Sequence, residues 1–358
     1  MLKKLDLYII KKFLGTFFLS IAMIMSIAIV FDLTEKLDSF YENQVPAKEI
    51  VFDYYLNFLP YFLDMFSQLF IFISVIFFTS KMAGNSEIIA IHAAGVSYDR
   101  FLRPYMITAT LLFLFTFFLG GWVIPRSSEK MLSFTDKYIQ RFTAESARNV
   151  QMKISAGSIL YIESFQRRTN LGYRASLEQF EGKSLTQRVT AERIRYIDGH
   201  HWRLETYVDR RFEGMRETLT QGAVLDTIIP ITPEELFITA EHAQEMTNAE
   251  LYNYIKQQRE RGAGNIKAFE TEYYSRFAGP IGAFIMTLLG VTLSSKKVRG
   301  GMGKNLGIGI TIAAAYILFS TVSTTFSVRG VMSPFMSVWL PNIIFLIIGF
   351  ALYWKVRK

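Results

Sequence analysis

Few residues in this sequence have the chemistry of an active site, and their spacing fits no catalytic constellation. Residues 300–305 are rich in glycine and include a lysine, but they lack the GxxxxGKS/T spacing and the hydroxyl that holds magnesium in a nucleotide-binding loop. The four histidines show no HExxH spacing, no GxSxG nucleophile elbow is present, and the chain has no cysteine. The sequence therefore predicts no catalytic residue, no metal site and no cofactor, so energy for any work must come from elsewhere.

A short segment after the second apolar window has the chemistry of a docking helix. Ser86 is predicted to cap it, Glu87 lies in its first turn, where the helix dipole favours an anion, and Gly95 ends it. The small and apolar residues between these ends suit a groove in a partner protein, and they are Ile88, Ile89, Ala90, Ile91, Ala93 and Ala94. The alternative is a loop helix that lies on the membrane interface.

Cations form a second set with binding chemistry. Spacings of 4, 7 and 4 residues place four of them on one helical face, and they are Arg126, Lys130, Lys137 and Arg141. Lys36 and Lys48 flank the outer end of the first apolar window and the entry to the second. Glu129 and Asp136 could neutralise the helical face, so a solvated face without a ligand is the alternative.

The elements that must position these residues begin with membrane helices. Hydrophobic residues make up 51% of the chain, too many for an ordinary soluble protein, and 20% of residues are charged, too many for a bare membrane bundle. Five windows contain no charged residue, at 13–31, 104–125, 277–295, 305–328 and 330–354, and a sixth, 54–80, is apolar except for Asp64. Because about 20 apolar helical residues cross the hydrocarbon core, we predict six transmembrane helices, with Asp64 near an outer end or facing protein.

Lysine and arginine are concentrated on one side of these predicted spans. The first twelve residues, the loops after spans 2 and 4, and the C-terminal end are basic, whereas the connection between spans 1 and 2 is acidic. By the positive-inside rule, both termini are cytoplasmic. Topology then explains the net charge of +8, and nucleic acid is not an expected partner. Residues 1–12 are amphipathic and predict an interfacial helix on the anionic leaflet.

The region between spans 3 and 4 is predicted to be a water-soluble insert outside the cytoplasm. Residues 126–149 are polar and are predicted to continue span 3 as a helix. Beyond them, a period of two predicts strands at 158–165, 173–180, 188–197, 202–208 and 217–225. Such short strands, separated by turn residues, are typical of an antiparallel sandwich or open barrel. Thr247 and Glu250 form a capping box that predicts a helix, and a second helix from about Ile266 runs into span 4.

These elements predict an α+β membrane protein in three parts. Residues 1–125 form an N-terminal membrane half with the interfacial helix, spans 1–3 and the short helix at 86–95. Residues 126–276 form the inserted β domain, and residues 277–358 form a C-terminal membrane half with spans 4–6.

Several motifs together resemble the lipopolysaccharide-export permease family, LptF/LptG or YjgP/YjgQ. They are the LDLYI start at 5–9, SEIIAIHAAGVS at 86–97, Trp202 and Leu204 followed by Arg211-Phe212, TPEEL at 232–236, Met246-Thr247 with Glu250-Leu251, and Arg276 with Pro280. The resemblance covers essentially the whole chain. The LDxYI start and the TPEEL pattern are more like LptG than LptF.

The resemblance implies a multi-pass protein of the bacterial inner membrane that pairs with a paralogous permease as a heterodimer. It implies a periplasmic β-jellyroll, a separate cytoplasmic ATPase dimer of the ABC type, and a periplasmic jellyroll bridge protein that receives the lipopolysaccharide lifted from the outer leaflet. The residues implied for ATPase coupling are Ser86, Glu87, Ile88, Ile89, Ile91, His92 and Gly95, with Glu87 meeting a basic residue of the ATPase.

Lipopolysaccharide carries phosphates, so its head needs cations at the outer leaflet surface. The candidates are Lys36, Arg126, Lys130, Lys137 and Arg141. Two other functions remain open from the sequence. A membrane-anchored periplasmic scaffold or sensor would need no ATPase, and a secondary transporter would need intramembrane charges, of which only Asp64 qualifies.

Overall fold

The computed structural model describes residues 3–139, 146–155, 157–237, 240–261, 266–296 and 301–357. Contacts between Cα atoms divide the chain into two compact units. The membrane unit comprises Met1–Met131, Gln244–Asn248 and Glu270–Lys358, and the β unit comprises Leu132–Ala243 and Ala249–Phe269.

The helices include six that are long and apolar enough to cross a membrane, as the charge-free windows predicted. In chain order the helices are α1 (Lys4–Glu42), α2 (Ala47–Gly84), α3 (Glu87–Ala93), α4 (Tyr98–Tyr138), α5 (Asn248–Arg261), α6 (Ile266–Ser294), α7 (Gly301–Val328) and α8 (Pro334–Arg357). The six candidate spans are α1, α2, α4, α6, α7 and α8. The residues predicted to form an interfacial helix are the first turns of α1, continuous with span 1 from Lys4 onward.

One turn of α4 is wound more widely than an α-helix, as a π-helical turn at Leu119–Val123. Pro125 follows it and has no N–H to donate to the carbonyl of Gly121. A proline inside a helix removes that hydrogen bond and crowds the carbonyl, and a widened turn relieves the crowding. The helix therefore continues past Pro125 instead of ending there.

The core of the membrane unit contains many aromatic side chains, and two of its helices approach closely at a glycine. Phe13 and Phe72 are fully buried in it. A Cβ added to Gly290 of α6 would lie 2.7 Å from Val75 Cγ1 of α2, so only glycine allows these two helices to approach so closely. Small residues that bring backbones together are the usual means of packing helices in lipid.

Buried hydrogen bonds join the helices of the C-terminal half to one another and to α2. Asn305 of α7 donates to Ser80 Oγ of α2 at 3.1 Å. Tyr316 of α7 donates to Asn342 Oδ1 of α8 at 2.7 Å, and Asn342 donates to the Ala278 carbonyl of α6 at 2.9 Å. Because unpaired polar groups are costly in hydrocarbon, these bonds fix which helix faces meet.

The β unit contains one antiparallel sheet in which the described strands pair in sequence order, β1 to β6. The strands are β1 (Ser146–Ser155), β2 (Ser158–Gln166), β3 (Leu171–Glu181), β4 (Ser184–Asp198), β5 (His201–Glu213) and β6 (Arg216–Ile228). Gly182, Gly199 and Gly214 each lie in a two-residue hairpin loop at positive φ, as a tight hairpin requires. An α+β membrane protein with an inserted β domain is thus confirmed.

Two details of the predicted insert were wrong. The helix predicted over residues 126–149 ends at Tyr138, and Ser146–Ser155 is strand β1. The segment is polar and gives little strand signal of its own, and pairing with β2 supplies its hydrogen bonds. In consequence residues 158–165, the first strand predicted from the sequence, lie inside the sheet between β1 and β3 and do not form its edge.

The core of the β unit is centred on Trp202, which is fully buried. Its ring packs edge-on against Phe165 at a centroid distance of 5.8 Å, and its Nε1 donates to the carbonyl of Ile231 at 3.2 Å. Ile231 belongs to the segment that leaves β6 and returns over the core. The tryptophan therefore ties this segment to the sheet with a satisfied polar group.

Candidate functional site

The short helix α3 turns two different faces to its surroundings. Ile88 is 3% exposed and belongs to the membrane-unit core, and Ile91 packs partly buried against that core. Ile89 is 57% exposed, and Ala90 and Ala93 beside it are also exposed. One face thus anchors the helix, and the other presents an isoleucine among alanines to whatever lies outside.

The ends of α3 differ from the prediction at one point. Gly95 has φ +82° and ends the helix, as a C-terminal glycine does. Ser86 is the residue before the helix, but its φ is +62° and its side chain makes no capping hydrogen bond. The predicted serine cap is therefore wrong, because Ser86 has a left-handed backbone and a capping residue needs an extended one.

Glu87 and His92 tie the two ends of α3 to neighbouring helices. Glu87 accepts a hydrogen bond from Tyr8 Oη of α1 at 3.2 Å. The His92 ring lies against Phe101 of α4 at a centroid distance of 5.7 Å, and its Nδ1 is 2.8 Å from the Val96 carbonyl. Contacts with α1 and α4 therefore fix both ends of α3.

The predicted cationic face lies on α4 where the apolar window ends. Arg126, Lys130 and Lys137 are exposed. The Arg126 guanidinium lies 5.7 Å from the centre of the Trp122 ring, a contact typical of a side chain at the membrane–water interface. Arg141 lies outside the described residues.

Lys36 lies on α1 with a partner that neutralises much of its charge. Its Nζ is 2.5 Å from Asp32 Oδ1, one helical turn earlier, and it also contacts Tyr54 Oη. Tyr55 Oη donates to the other carboxylate oxygen of Asp32 at 3.2 Å. The i,i+4 spacing of Asp32 and Lys36 is a local signal in the sequence for this pair.

Arg276 of α6 is a buried cation that sequence reasoning noted only through the family resemblance. It pairs with Glu272 at 3.1 Å and donates to the carbonyl of Met246 at 2.7 Å and to Asn248 Oδ1 at 3.0 Å. The guanidinium thus fixes the segment that precedes α5 on the end of α6. Asp64 of α2 is close enough to both Glu272 and Arg276 to interact with their charges.

The outer face of the β unit is crossed by ion pairs between neighbouring strands. The pairs are Arg174–Glu163, Arg188–Glu178, Arg195–Glu205, Arg203–Asp226 and Arg210–Glu217. The Arg203 guanidinium beside Asp226 lowers the pKa of that carboxyl. His200 and His201 are exposed at a hairpin turn, and the described residues contain no group of three potential metal ligands.

The two edges of the sheet differ in how far they are covered. Among the described strands, β1 and β6 each pair on one side only. Residues 216–221 of β6 are exposed on both faces, whereas β1 is partly buried along most of its length. An exposed edge of this kind can accept a further strand from another protein.

Comparison with known proteins places these features in one family. The model of the family described as "Lipopolysaccharide export system permease LptF/LptG" matches residues 7–355. The permease protein LptG of Escherichia coli K12 is 20% identical over 358 residues, which cover 99% of this chain and 98% of that protein. LptG of Haemophilus influenzae is 21% identical over 364 residues, which cover 100% of this chain and 99% of that protein.

Proposed function

The chain belongs to the LptF/LptG family of lipopolysaccharide export system permeases, and we propose that it is a membrane subunit of an ATP-driven exporter of lipopolysaccharide. In this proposal the complex extracts the glycolipid from the outer leaflet of the bacterial inner membrane and passes it to a periplasmic bridge protein. The observation that carries the proposal is the family match over nearly the whole chain, together with six candidate spans and an inserted β sheet.

Energy for extraction would come from a separate ATPase dimer of the ABC type, since the sequence has no nucleotide-binding loop. The docking surface would be the exposed face of α3, with Ile89, Ala90 and Ala93 in a groove of the ATPase and Glu87 beside a basic residue there. Two features support this surface. An isoleucine exposed among alanines fits a groove, and Ile88 anchors the helix in the membrane unit.

A paralogous permease would cover α1 and α7 to complete a cavity for the acyl chains. Only 22% of the apolar window of α1 and 22% of that of α7 is buried within the chain, against 72% for α6. Spans 1, 2 and 5 could line this cavity, and the Phe and Met side chains of the spans can adapt to irregular apolar ligands. The difference in coverage supports a partner or a lipid beside α1 and α7.

The phosphates of the glycolipid head would be bound by cations at the outer end of the membrane unit. Arg126 and Lys130 are the best candidates because they are exposed and make no ion pair among the described residues. Lys36 is less available for this role, because its ammonium group is already paired with Asp32. Lys36 would contribute only after that pair opens, and Lys137 lies further along α4.

Orientation in the inner membrane follows from the positive-inside rule, with both termini cytoplasmic. The short helix α3 then faces the cytoplasmic ATPase, and the β unit faces the periplasm. The exposed edge at β6 would receive the bridge protein by strand addition.

Co-purification is the experiment that tests the proposal. The tagged chain, expressed in membranes of its own organism, is expected to retain a paralogous permease and an ATPase in fixed ratio, and lipopolysaccharide should stimulate ATP hydrolysis by the complex. A scaffold or sensor without transport activity would purify with no ATPase. That result would overturn the proposed function.

A further inference from the structure

The first turn of α4, formed by Tyr98, Asp99 and Arg100, contacts three different elements of the membrane unit. Arg100 binds Asp6 of α1 through two parallel hydrogen bonds, Nη1 to Oδ1 and Nη2 to Oδ2, both at 2.7 Å. Asp99 pairs with Arg357 in the last turn of α8 at 3.2 Å. The ring of Tyr98 stacks on an aromatic residue of α3.

The aromatic residue of α3 that stacks on Tyr98 is His92, and the two ring centroids are 6.2 Å apart. The other end of α3 is held from α1, because Tyr8 donates to Glu87. Tyr8 is only two residues beyond Asp6. The first turns of α1 and α4 therefore hold opposite ends of α3, and the Asp6–Arg100 pair locks these two turns together.

The Asp6–Arg100 pair is the strongest of these contacts. Asp6 is 2% exposed and also accepts a hydrogen bond from the Lys3 backbone N–H at 2.8 Å. Bidentate guanidinium–carboxylate geometry is strong and directional, and removing Arg100 would leave the buried carboxylate of Asp6 without its ion-pair partner. By contrast, the side chains of Asp99 and Arg357 are 47% and 57% exposed, so solvent screens that pair.

We propose that Asp6 and Arg100 are positioning residues that make α1, α3 and α4 move as one body at this end of the membrane unit. A displacement imposed on α3 is then carried into spans 1 and 3 and is not lost by tilting of α3 alone. The inference rests on the proposed function, in which the ATPase docks on α3. It adds the residues that transmit the movement, none of which belongs to the docking face itself.

Transport in proteoliposomes that contain the full complex tests this inference. We expect Asp6→Asn to leave ATPase co-purification and the KM for ATP unchanged, because the exposed face of α3 is intact. Lipopolysaccharide released per ATP hydrolysed should fall at least about fivefold, the lower end of typical coupling effects. Asp6→Glu, which restores a carboxylate, should recover most of the loss. Glu163→Gln breaks an exposed pair with Arg174 between the interior strands β2 and β3 and should change nothing.

A spectroscopic measurement tests the same lock without the ATPase. Because the chain has no native cysteine, Ala93→Cys and Lys11→Cys place one spin label on α3 and one on α1, both at exposed positions. The label distance should have a narrow distribution, and Asp6→Asn should broaden it. If the Asp6→Asn variant does not assemble, Arg100→Lys takes its place. Lysine keeps the positive charge but cannot form two parallel hydrogen bonds to Asp6, so it should broaden the label-distance distribution, though less than Asp6→Asn would.

The outcomes separate this inference from the proposed function. Unchanged release per ATP in an assembled Asp6→Asn complex, or an unchanged distance distribution in both variants, overturns the positioning role. Failure of the wild-type chain to retain an ATPase overturns the proposed function instead, and the distance measurement would still decide whether Asp6 and Arg100 lock the helices.

Discussion

Glu87 lies at the start of α3, where the helix dipole favours an anion and where Tyr8 already orients the carboxylate. We expect Glu87→Lys to weaken association with the ATPase at least about tenfold, because reversing a charge at an interface costs about 2 kcal/mol or more. The spans should still insert. The measurement is the amount of ATPase retained by the purified variant.

The matched control is Glu192→Lys, the same reversal at an exposed position of β4. Retention of the ATPase should be normal in this control. Equal retention by the Glu87 variant would show that the ATPase docks elsewhere.

Arg126 and Lys130 offer a second test at the scale of single residues. Each exposed charge-assisted contact to a phosphate contributes about 1 kcal/mol and is weakened by salt. Changing both residues to Glu should therefore reduce stimulation of ATP hydrolysis by lipopolysaccharide clearly, whereas one change alone should have a mild effect. The difference from wild type should shrink at high salt.

A double reversal of Arg168 and Lys183, both exposed in the β unit, controls for net charge. If this control and the Arg126/Lys130 variant are stimulated equally, the cations on α4 are only a solvated helix face.

At the scale of elements, the contact between α2 and α6 depends on the absence of one side chain. Gly290→Ala would bring a Cβ to 2.7 Å from Val75 Cγ1, and overpacking of this kind costs about 1–3 kcal/mol. We expect a lower thermal unfolding temperature for the detergent-solubilised protein. Gly279→Ala on the same helix places its Cβ within 4 Å of no atom of the described residues and should leave the temperature unchanged. Similar temperatures for the two variants would mean that the helices separate easily at this contact.

At the scale of the whole molecule, the exposed edge at β6 predicts where the periplasmic partner binds. Photocrosslinking residues at Thr218 and Thr220 should capture a periplasmic protein, because the strand is exposed there and, among the described strands, pairs on one side only. A crosslinker at Ser176 of β3, which pairs with strands on both sides, is the control and should capture less. Capture from β3 but not from β6 would argue against strand addition at this edge.

The spans and the inserted sheet could be predicted from the sequence because their causes are local. Hydrocarbon does not solvate charges, so each span leaves a window almost free of charged residues, and Asp64 is the exception within 54–80. Hairpin loops need positive φ, so Gly182, Gly199 and Gly214 mark the turns in the chain itself. Strand β1 was missed because its polar residues depend on pairing with β2 for their conformation.

Only the tertiary structure decided which face of a helix or edge of a sheet is free, and which distant charges meet. Ile88 and Ile89 are identical neighbours in sequence, yet one is buried in the membrane unit and the other is exposed, because packing against the other helices selects the face. Asp6 and Arg100 are 94 residues apart, and no local pattern pairs them. Their meeting depends on how α1 and α4 pack, which is a property of the assembled helices and not of either segment alone.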